Sequence, residues 1–394
     1  MGQYDFDTIY DRRNTSSLKY DFGMERMGRD DLLPLWVADM DFRLPRQILE
    51  PIAERVEHGI FGYTDPKEDY DRALRGWYSR RQGFQIGEKW NTVAPGVVYA
   101  IAATVRAFTE PGQAVIIQQP VYYPFMETIE LNKRKLVNNQ LLYKNGHYEI
   151  DFEDFENKII SEDVKLFILC SPHNPVGRVW KKEELLRLMN ICRAHDVMIF
   201  SDEIHSDFVF QGYEHTSLLA LDQQYFDRLI VATSPSKSFN IAGLQVANIL
   251  IPDEKIREKY RNENTAAGYS QGNTLGMVAT IAAYTKGEVW FEELLSYLQE
   301  NISYIRDFLA EKLPEVKLTK AEGTYLAWLD FSELYDDPNT LEHIVRDKAR
   351  LWLDSGAIFG KETALFERVN VACPRMILEQ AMNQLYSAIT EDSK

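Results

Sequence analysis

Ser234-Pro235-Ser236-Lys237-Ser238-Phe239-Asn240 follows, one threonine later, on the apolar run Leu229-Ile230-Val231-Ala232. A short, unbroken apolar run of this kind reads as a strand buried on both faces. The lysine just beyond it is out of place, because taking an ammonium out of water is costly and lysine is among the residues least often buried. Hydroxyls at 234, 236 and 238 surround it with donors and acceptors that an anion could use. Earlier in the chain a second run, Val197-Met198-Ile199-Phe200, ends in Ser201-Asp202-Glu203. A lysine and an acid therefore stand at the ends of two buried strands.

Working outward, strands are expected at 114–118, 165–169, 197–201, 229–233 and 246–251, with a helical period over 181–195 between them. Strands alternating with helices imply an α/β fold with a mainly parallel sheet covered on both faces. Ligands of such sheets gather at the carboxyl ends of the strands, and Asn174, Asp202 and Lys237 each follow one. The last third changes character: a long helix over about 287–312, an alternating strand from Thr324 to Asp330, a helix over about 339–354 and a final one from about 375. It reads as a smaller α+β domain joined by the first forty-odd residues. The expected division is a large domain over 48–286 and a small one from 1–47 with 287–394.

Composition bounds the function. The 394 residues carry a formal charge of −16, with 45% hydrophobic and 26% charged residues. That balance argues against nucleic acid or an anionic membrane as the main partner. Cysteines 170, 192 and 373 are widely spaced and odd in number, which fits a reducing compartment better than a disulfide framework. Met1 to Asn14 lacks the apolar centre of a signal peptide, and no apolar run approaches the ~18 residues of a membrane span. A cytoplasmic location is expected. His-Glu-x-x-His, paired Cys-x-x-Cys, Walker and Gly-x-Ser-x-Gly patterns are absent, and the histidines lack metal-ligand spacing, so no metal is expected.

A lysine after a strand is usually a solvated loop residue, and Asp202 alone could simply cap the next helix. Together they supply what pyridoxal phosphate requires: an amine for the Schiff base and a carboxylate for the pyridinium nitrogen. Ser171-Pro172-His173-Asn174-Pro175 is a turn by composition, yet Asn174 could bond the cofactor's phenolic oxygen. Pro95-Gly96-Val97-Val98 precedes a helical run from Tyr99 to Ala107, and free amides at a helix start bind phosphate. Tyr122, after the 114–118 strand, could stack on a pyridine ring, although aromatic clusters are more often packing. Arg375 could pair with a carboxylate bidentately; surface salt bridging is its ordinary reading.

Taken in order, Tyr122, Asn174-Pro175-x-Gly177, Asp202 and Ser234-x-Ser236-Lys237 resemble the fold-type-I pyridoxal-phosphate enzymes over nearly the whole chain. Within them the sequence is most similar to the MalY/PatB group of cystathionine and cysteine-S-conjugate β-lyases. Leu35 to Phe42, Phe61-Gly62-Tyr63, Ser171 to Arg178, Ser201 to His205 and Lys237 to Gln245 carry that likeness. The resemblance implies a mainly parallel seven-stranded sheet between helices in the large domain. It implies that Lys237 carries the Schiff base, Asp202 pairs with the ring nitrogen, Asn174 binds the phenolic oxygen and Tyr122 stacks, with His205 beside the cofactor. Gly96 and the amides of Val97 and Val98, with Ser234 and Ser236, would hold the phosphate. Tyr63 would reach the phosphate of a partner subunit, implying a homodimer with shared sites. Arg375, Val37 and Ala38 would bind the substrate, with Asn174 and Tyr122.

Two positions depart from the aminotransferase pattern: His205 stands where a tyrosine is common, and Gln245 where an arginine contacts phosphate. Both tilt the expectation to α,β-elimination from L-cystathionine, L-cysteine or a related S-conjugate, yielding a thiol or hydrogen sulfide, pyruvate and ammonia. An aminotransferase is the alternative, and a cofactor-bearing regulatory protein a remoter one.

Overall fold

A computed structural model describes residues 2–392, so Met1 and residues 393–394 of the expected small domain lie outside the described residues. Seven strands form one sheet in the order Asn91–Ala94, Ala247–Leu250, Leu229–Thr233, Met198–Asp202, Val164–Cys170, Ala114–Ile117, Lys135–Asn138. All pairings are parallel except the two made by Ala247–Leu250, which runs against both neighbours. That reversal matters for the site. Parallel neighbours need a long crossover, whereas an antiparallel neighbour can be reached by a short connection. The connection from Thr233 to Ala247 stays at the carboxyl edge of the sheet and carries Lys237 in a short helix, Pro235–Ser238.

Alternation along the strands divides the core into two layers. Phe167 and Leu169 pack with Leu185 and Leu188 of helix Lys182–Ala194 on one face. Leu166, Ile168 and Cys170 pack with Ala100, Ile101 and Phe125 on the other. Register then fixes the site: Asp202 lies between Cys170 and Ala232, so the acid sits beside the strand that leads into Lys237.

A second, antiparallel sheet orders Lys317–Leu318, Leu326–Asp330, Phe366–Asn370 and Asp354–Ser355. The N-terminal segment joins it from the side: Leu33–Pro34 pairs in parallel with Leu351–Trp352, and Trp36 stacks on Trp352 with centroids 4.4 Å apart. The long helix Glu288–Lys312 and the last helix Arg375–Asp392 pack against this part. The helix expected over 339–354 is shorter. It runs from Pro338 to Glu342, loosens into a π-turn over His343–Lys348 and stops. Arg350 there takes a left-handed backbone (φ 55°), and Leu351 is committed to the strand pair. Among the described residues no helix is long and apolar enough to cross a membrane.

Candidate active site

The carboxyl ends of the strands open into a cavity of about 160 Å³. Its wall contains Gly96, Val97, Val98, Tyr122, Asn174, Asp202, His205, Ser236 and Lys237, with Ala38 and Gln245. A wider depression of about 840 Å³ runs along helix Glu68–Gln82, but its wall is mainly exposed charged and polar side chains and includes none of these residues. Chemistry, not size, picks out the smaller one.

Lys237 lies inside this cavity, half-buried, with Nζ donating to the carbonyl of Ala38 at 2.6 Å. Burial and then the nearby Arg368 guanidinium pull its pKa down to about 8, against the opposing pull of Asp39 and Asp202. The amine is therefore neutral in a useful fraction near neutral pH, as a nucleophile or base must be. His205 is buried, and burial followed by the charges of Lys237 and Arg368 holds its pKa well below the ordinary range, so it stands neutral.

Asp202 is 4% exposed. One oxygen accepts from the amide of Ile204 at 3.0 Å, but the chain only turns there and starts no helix, so Asp202 closes a local turn and caps nothing. Burial raises its pKa to about 7 in spite of that hydrogen bond and the charge of Lys237. Among the described residues it makes no ion pair. A buried carboxylate without a cation is a costly arrangement, relieved by a cation placed against it.

Asn174 is buried with Oδ1 accepting from Arg368 Nη1 at 3.0 Å. Arginine only donates, so the amide oxygen must face it and the NH₂ group is left for the cavity. Arg368 itself is 2% exposed, holds the carbonyl of Trp36 at 2.9 Å and pairs with Asp354. Its Nε, also buried, has no hydrogen-bond partner among the described residues.

Several expected site residues fall elsewhere. Arg375 does not join the cavity. It opens the last helix, with Nε on Asn301 Oδ1 at 2.8 Å and its guanidinium over the ring of Tyr304, because Pro374 turns the chain away after the strand. Ser234 is absent from the wall as well; its hydroxyl donates to the carbonyl of Val246 at 2.6 Å and caps the amide of Ser236. Val37 lies next to the wall, with its carbonyl held by Asn370 at 2.7 Å. Tyr63 is 96% exposed and outside the cavity.

Two residues that sequence reasoning missed belong here. Arg368 is one. Tyr325 is the other: fully buried, it donates to the Ala38 carbonyl at 2.9 Å. Arg368 lies in Phe366–Asn370, a buried strand that the sequence reading did not expect, so no local signal marked it.

The segment Trp36–Phe42 forms one side of the site without being helix or strand. Its carbonyls are held by side chains instead, which satisfies backbone groups that regular structure would otherwise pair. Arg368 takes Trp36, Asn370 takes Val37 and Asp39, Lys237 and Tyr325 share Ala38, and Asn240 with Arg12 takes Met40. Asp39 and Asp41 are clamped from outside by Arg12 and by Lys19, which is wholly buried and 2.7 Å from Asp41.

Comparison with known proteins defines the class. The family model for aminotransferase class I and II matches residues 30–385, and the chain belongs to that family. Cystathionine beta-lyase PatB of Bacillus subtilis is 42% identical over 385 residues, covering 98% of this chain and 100% of its own. Cystalysin from Treponema denticola, solved with pyridoxal 5′-phosphate, superposes with TM-score 0.96 at 38% identity, covering 99% and 100%. The pyridoxal-phosphate-bound C–S lyase of Staphylococcus hominis gives 0.91 at 34%, covering 98% of each. The chain is a pyridoxal-phosphate-dependent carbon–sulfur lyase of fold type I.

The residues present fit that cofactor. A Cβ placed on Gly96 would meet no atom within 4 Å, so the cavity is open where helix Val97–Phe108 begins. The first amides of a helix have no preceding turn to bond and suit a phosphate. The helix starts at Val97, two residues before the expected Tyr99, which makes the amides of Val97 and Val98 its free ones. Asp202 offers an unpaired carboxylate, Asn174 an oriented NH₂ and Lys237 an amine.

Proposed function

We propose that this chain releases thiol from L-cystathionine or a close cysteine S-conjugate by α,β-elimination, leaving pyruvate and ammonia; cysteine itself would yield hydrogen sulfide. One observation carries the reading: a lysine of lowered pKa and an unpaired buried carboxylate share one cavity, and behind its wall a buried arginine bonded to Asn174 keeps a donor unused. Bound pyridoxal phosphate supplies an electron sink for the charge that develops at the substrate Cα. Arg368 holds the substrate carboxylate, using the free Nε and a fork already fixed by Trp36, Asn174 and Asp354. Asp202 remains ionised against the ring cation, and Asn174 donates from its NH₂. Lys237 Nζ removes the Cα proton and returns it to the departing sulfur. Neutral His205 in place of a tyrosine and Gln245 in place of an arginine favour elimination over amino transfer.

A homodimer with shared sites accompanies this reading. Ile60, Phe61 and Tyr63 are exposed by 67%, 56% and 96%, an apolar edge suited to cover by a second copy, with Tyr63 reaching the partner's phosphate. Exposed apolar clusters of that kind mark contact surfaces. The 47/48 and 286/287 division and a cytoplasmic location complete the proposal, the latter resting on composition and three unpaired cysteines. The test is an assay without any keto-acid acceptor. Steady pyruvate and homocysteine from L-cystathionine support the reading, and turnover only when an acceptor is added overturns it. Equilibrium sedimentation as a monomer with full activity would remove the shared-site part alone.

A further inference from the structure

Two donors meet on one carbonyl beside the cofactor site. Lys237 Nζ lies 2.6 Å and Tyr325 Oη 2.9 Å from the oxygen of Ala38. A carbonyl oxygen has two lone pairs, so the two donors use its whole capacity. A carbonyl has no proton to give, so the tyrosine hydroxyl is the donor and its direction is fixed. The ring cannot swing away. It is fully buried, edge-on to Phe208 at 4.8 Å and to His205 at 5.8 Å. Ala38 is equally fixed, because its neighbours in Trp36–Met40 are held by Arg368, Asn370 and Asn240.

We propose that Tyr325 is a positioning residue for Lys237: by sharing the Ala38 carbonyl, its hydroxyl limits how firmly that carbonyl holds the free lysine head and so keeps the amine available. This rests on the elimination reading for the lysine's role as base, but the arrangement itself does not depend on which thiol leaves. The charged and titratable groups facing Lys237 are Asp202 from the strand end, Asp39 from the 36–42 segment, Arg368 from the second sheet and, close by, His205 and Tyr122. Asp202 and Asp39 favour the ammonium, while Arg368 and burial oppose it. A second donor on Ala38 adds to the opposing side, since a carbonyl already accepting one hydrogen bond offers less to an ammonium.

Tyr325→Phe keeps the ring and removes only the shared donor, and it leaves no carbonyl orphaned because Lys237 still bonds Ala38. The first readout is independent of turnover. In full-length protein freed of cofactor, acetylation of Lys237 by acetic anhydride is followed by peptide mass across pH 6–11. The expected wild-type midpoint is about 8, and the expected variant midpoint lies about one pH unit higher. The second readout is kcat of the holoenzyme. At pH 7.5 the variant loses roughly eightfold, the fall in neutral lysine for such a shift, and the loss disappears above about pH 10 while KM stays within about twofold. A Lys237 midpoint unchanged in Tyr325→Phe overturns the proposal, as does a kcat defect equal at all pH values. Both would mark Tyr325 as packing. Because the acetylation midpoint requires no substrate, a wrong substrate assignment would leave that arm intact.

Discussion

Replacing Arg368 with alanine removes the side chain that reaches from the second sheet into the cation balance of Lys237 and also fixes Asn174. The substrate carboxylate would lose a charge-assisted partner in a buried site, worth about 3–5 kcal/mol when one member of such a pair is deleted. At 1.4 kcal/mol per decade this is a loss of roughly 10²- to 10³-fold or more in kcat/KM. Two secondary effects have definite signs. Asp354, whose pKa burial already raises against the pull of Arg368, is left without its cation and protonates more readily. Lys237 loses the positive neighbour that lowers its pKa, so the pH at which turnover rises moves upward. Arg368→Lys restores charge without the planar fork and recovers only part of the loss. Arg375→Ala is the control: its side chain rests on Asn301 and Tyr304, outside the cavity, so kcat/KM changes by less than about threefold. Steady-state kinetics with L-cystathionine, together with cofactor affinity from visible absorbance, separate the two. A hundredfold loss in Arg375→Ala with near-normal Arg368→Ala would refute the assignment of the carboxylate site.

Asp202→Asn keeps the shape but removes the charge opposite the ring nitrogen; kcat should fall by about two decades or more with weaker retention of the cofactor, read from the visible band and turnover. Normal activity would show that the carboxylate only holds the turn at Ile204. Lys19→Met leaves Asp41 with Arg12 as its one remaining cation among the described residues, and a loss of about 2–4 kcal/mol is expected in urea unfolding followed by tryptophan fluorescence. An unchanged midpoint would mean that the clamp contributes nothing. Because the folded protein lowers the pKa of Lys237 to about 8, the ammonium is the disfavoured form: kcat should climb about tenfold per unit below pH 8 and flatten above it. A profile flat from pH 6 to 9 would contradict the lysine as base. The raised pKa of Asp202 has the opposite consequence for the cofactor-free chain. Its carboxyl resists ionising until about 7 in the fold but ionises near 4 when unfolded, so its contribution to stability declines as pH rises from about 4 to 7. Thermal melting across that range in Asp202→Asn and the parent measures the difference.

Much of the sheet, and the place of Lys237, Asp202, Asn174 and Tyr122 on the cavity wall, could be read directly from the chain. The runs at 166–170, 198–200 and 229–232 are apolar without interruption because both faces are covered, and each leads within a few residues to a polar residue that water alone does not explain. Lys237, Asp202 and Asn174 were legible for that reason, and Tyr122 by its place after Ala114–Ile117. Arg368 was not, since Glu367 and Asn370 give its strand the look of an exposed edge. All five residues of that strand are buried, by long-range contacts with the 36–42 segment and the helices around it. No local period encodes such burial. Ser234 and Arg375 fail for the converse reason: each has suitable chemistry, but the turn beside it fixes where it points. Tyr325 fell in the strand expected from Thr324 but lies just before the observed one, Leu326–Asp330, and only the approach of Ala38, 287 residues away in sequence, gives it a role.

If Lys237 drives carbon–sulfur bond cleavage rather than amino exchange, the products alone can show it. The decisive experiment incubates the holoenzyme with L-cystathionine, no keto-acid acceptor present, and follows pyruvate, homocysteine and ammonia together, with Lys237→Ala in parallel. Equal, continuing formation of all three by the parent and none above background by the variant is the expected result. A single burst that stops at one equivalent of enzyme and resumes only when a keto acid is supplied would contradict it.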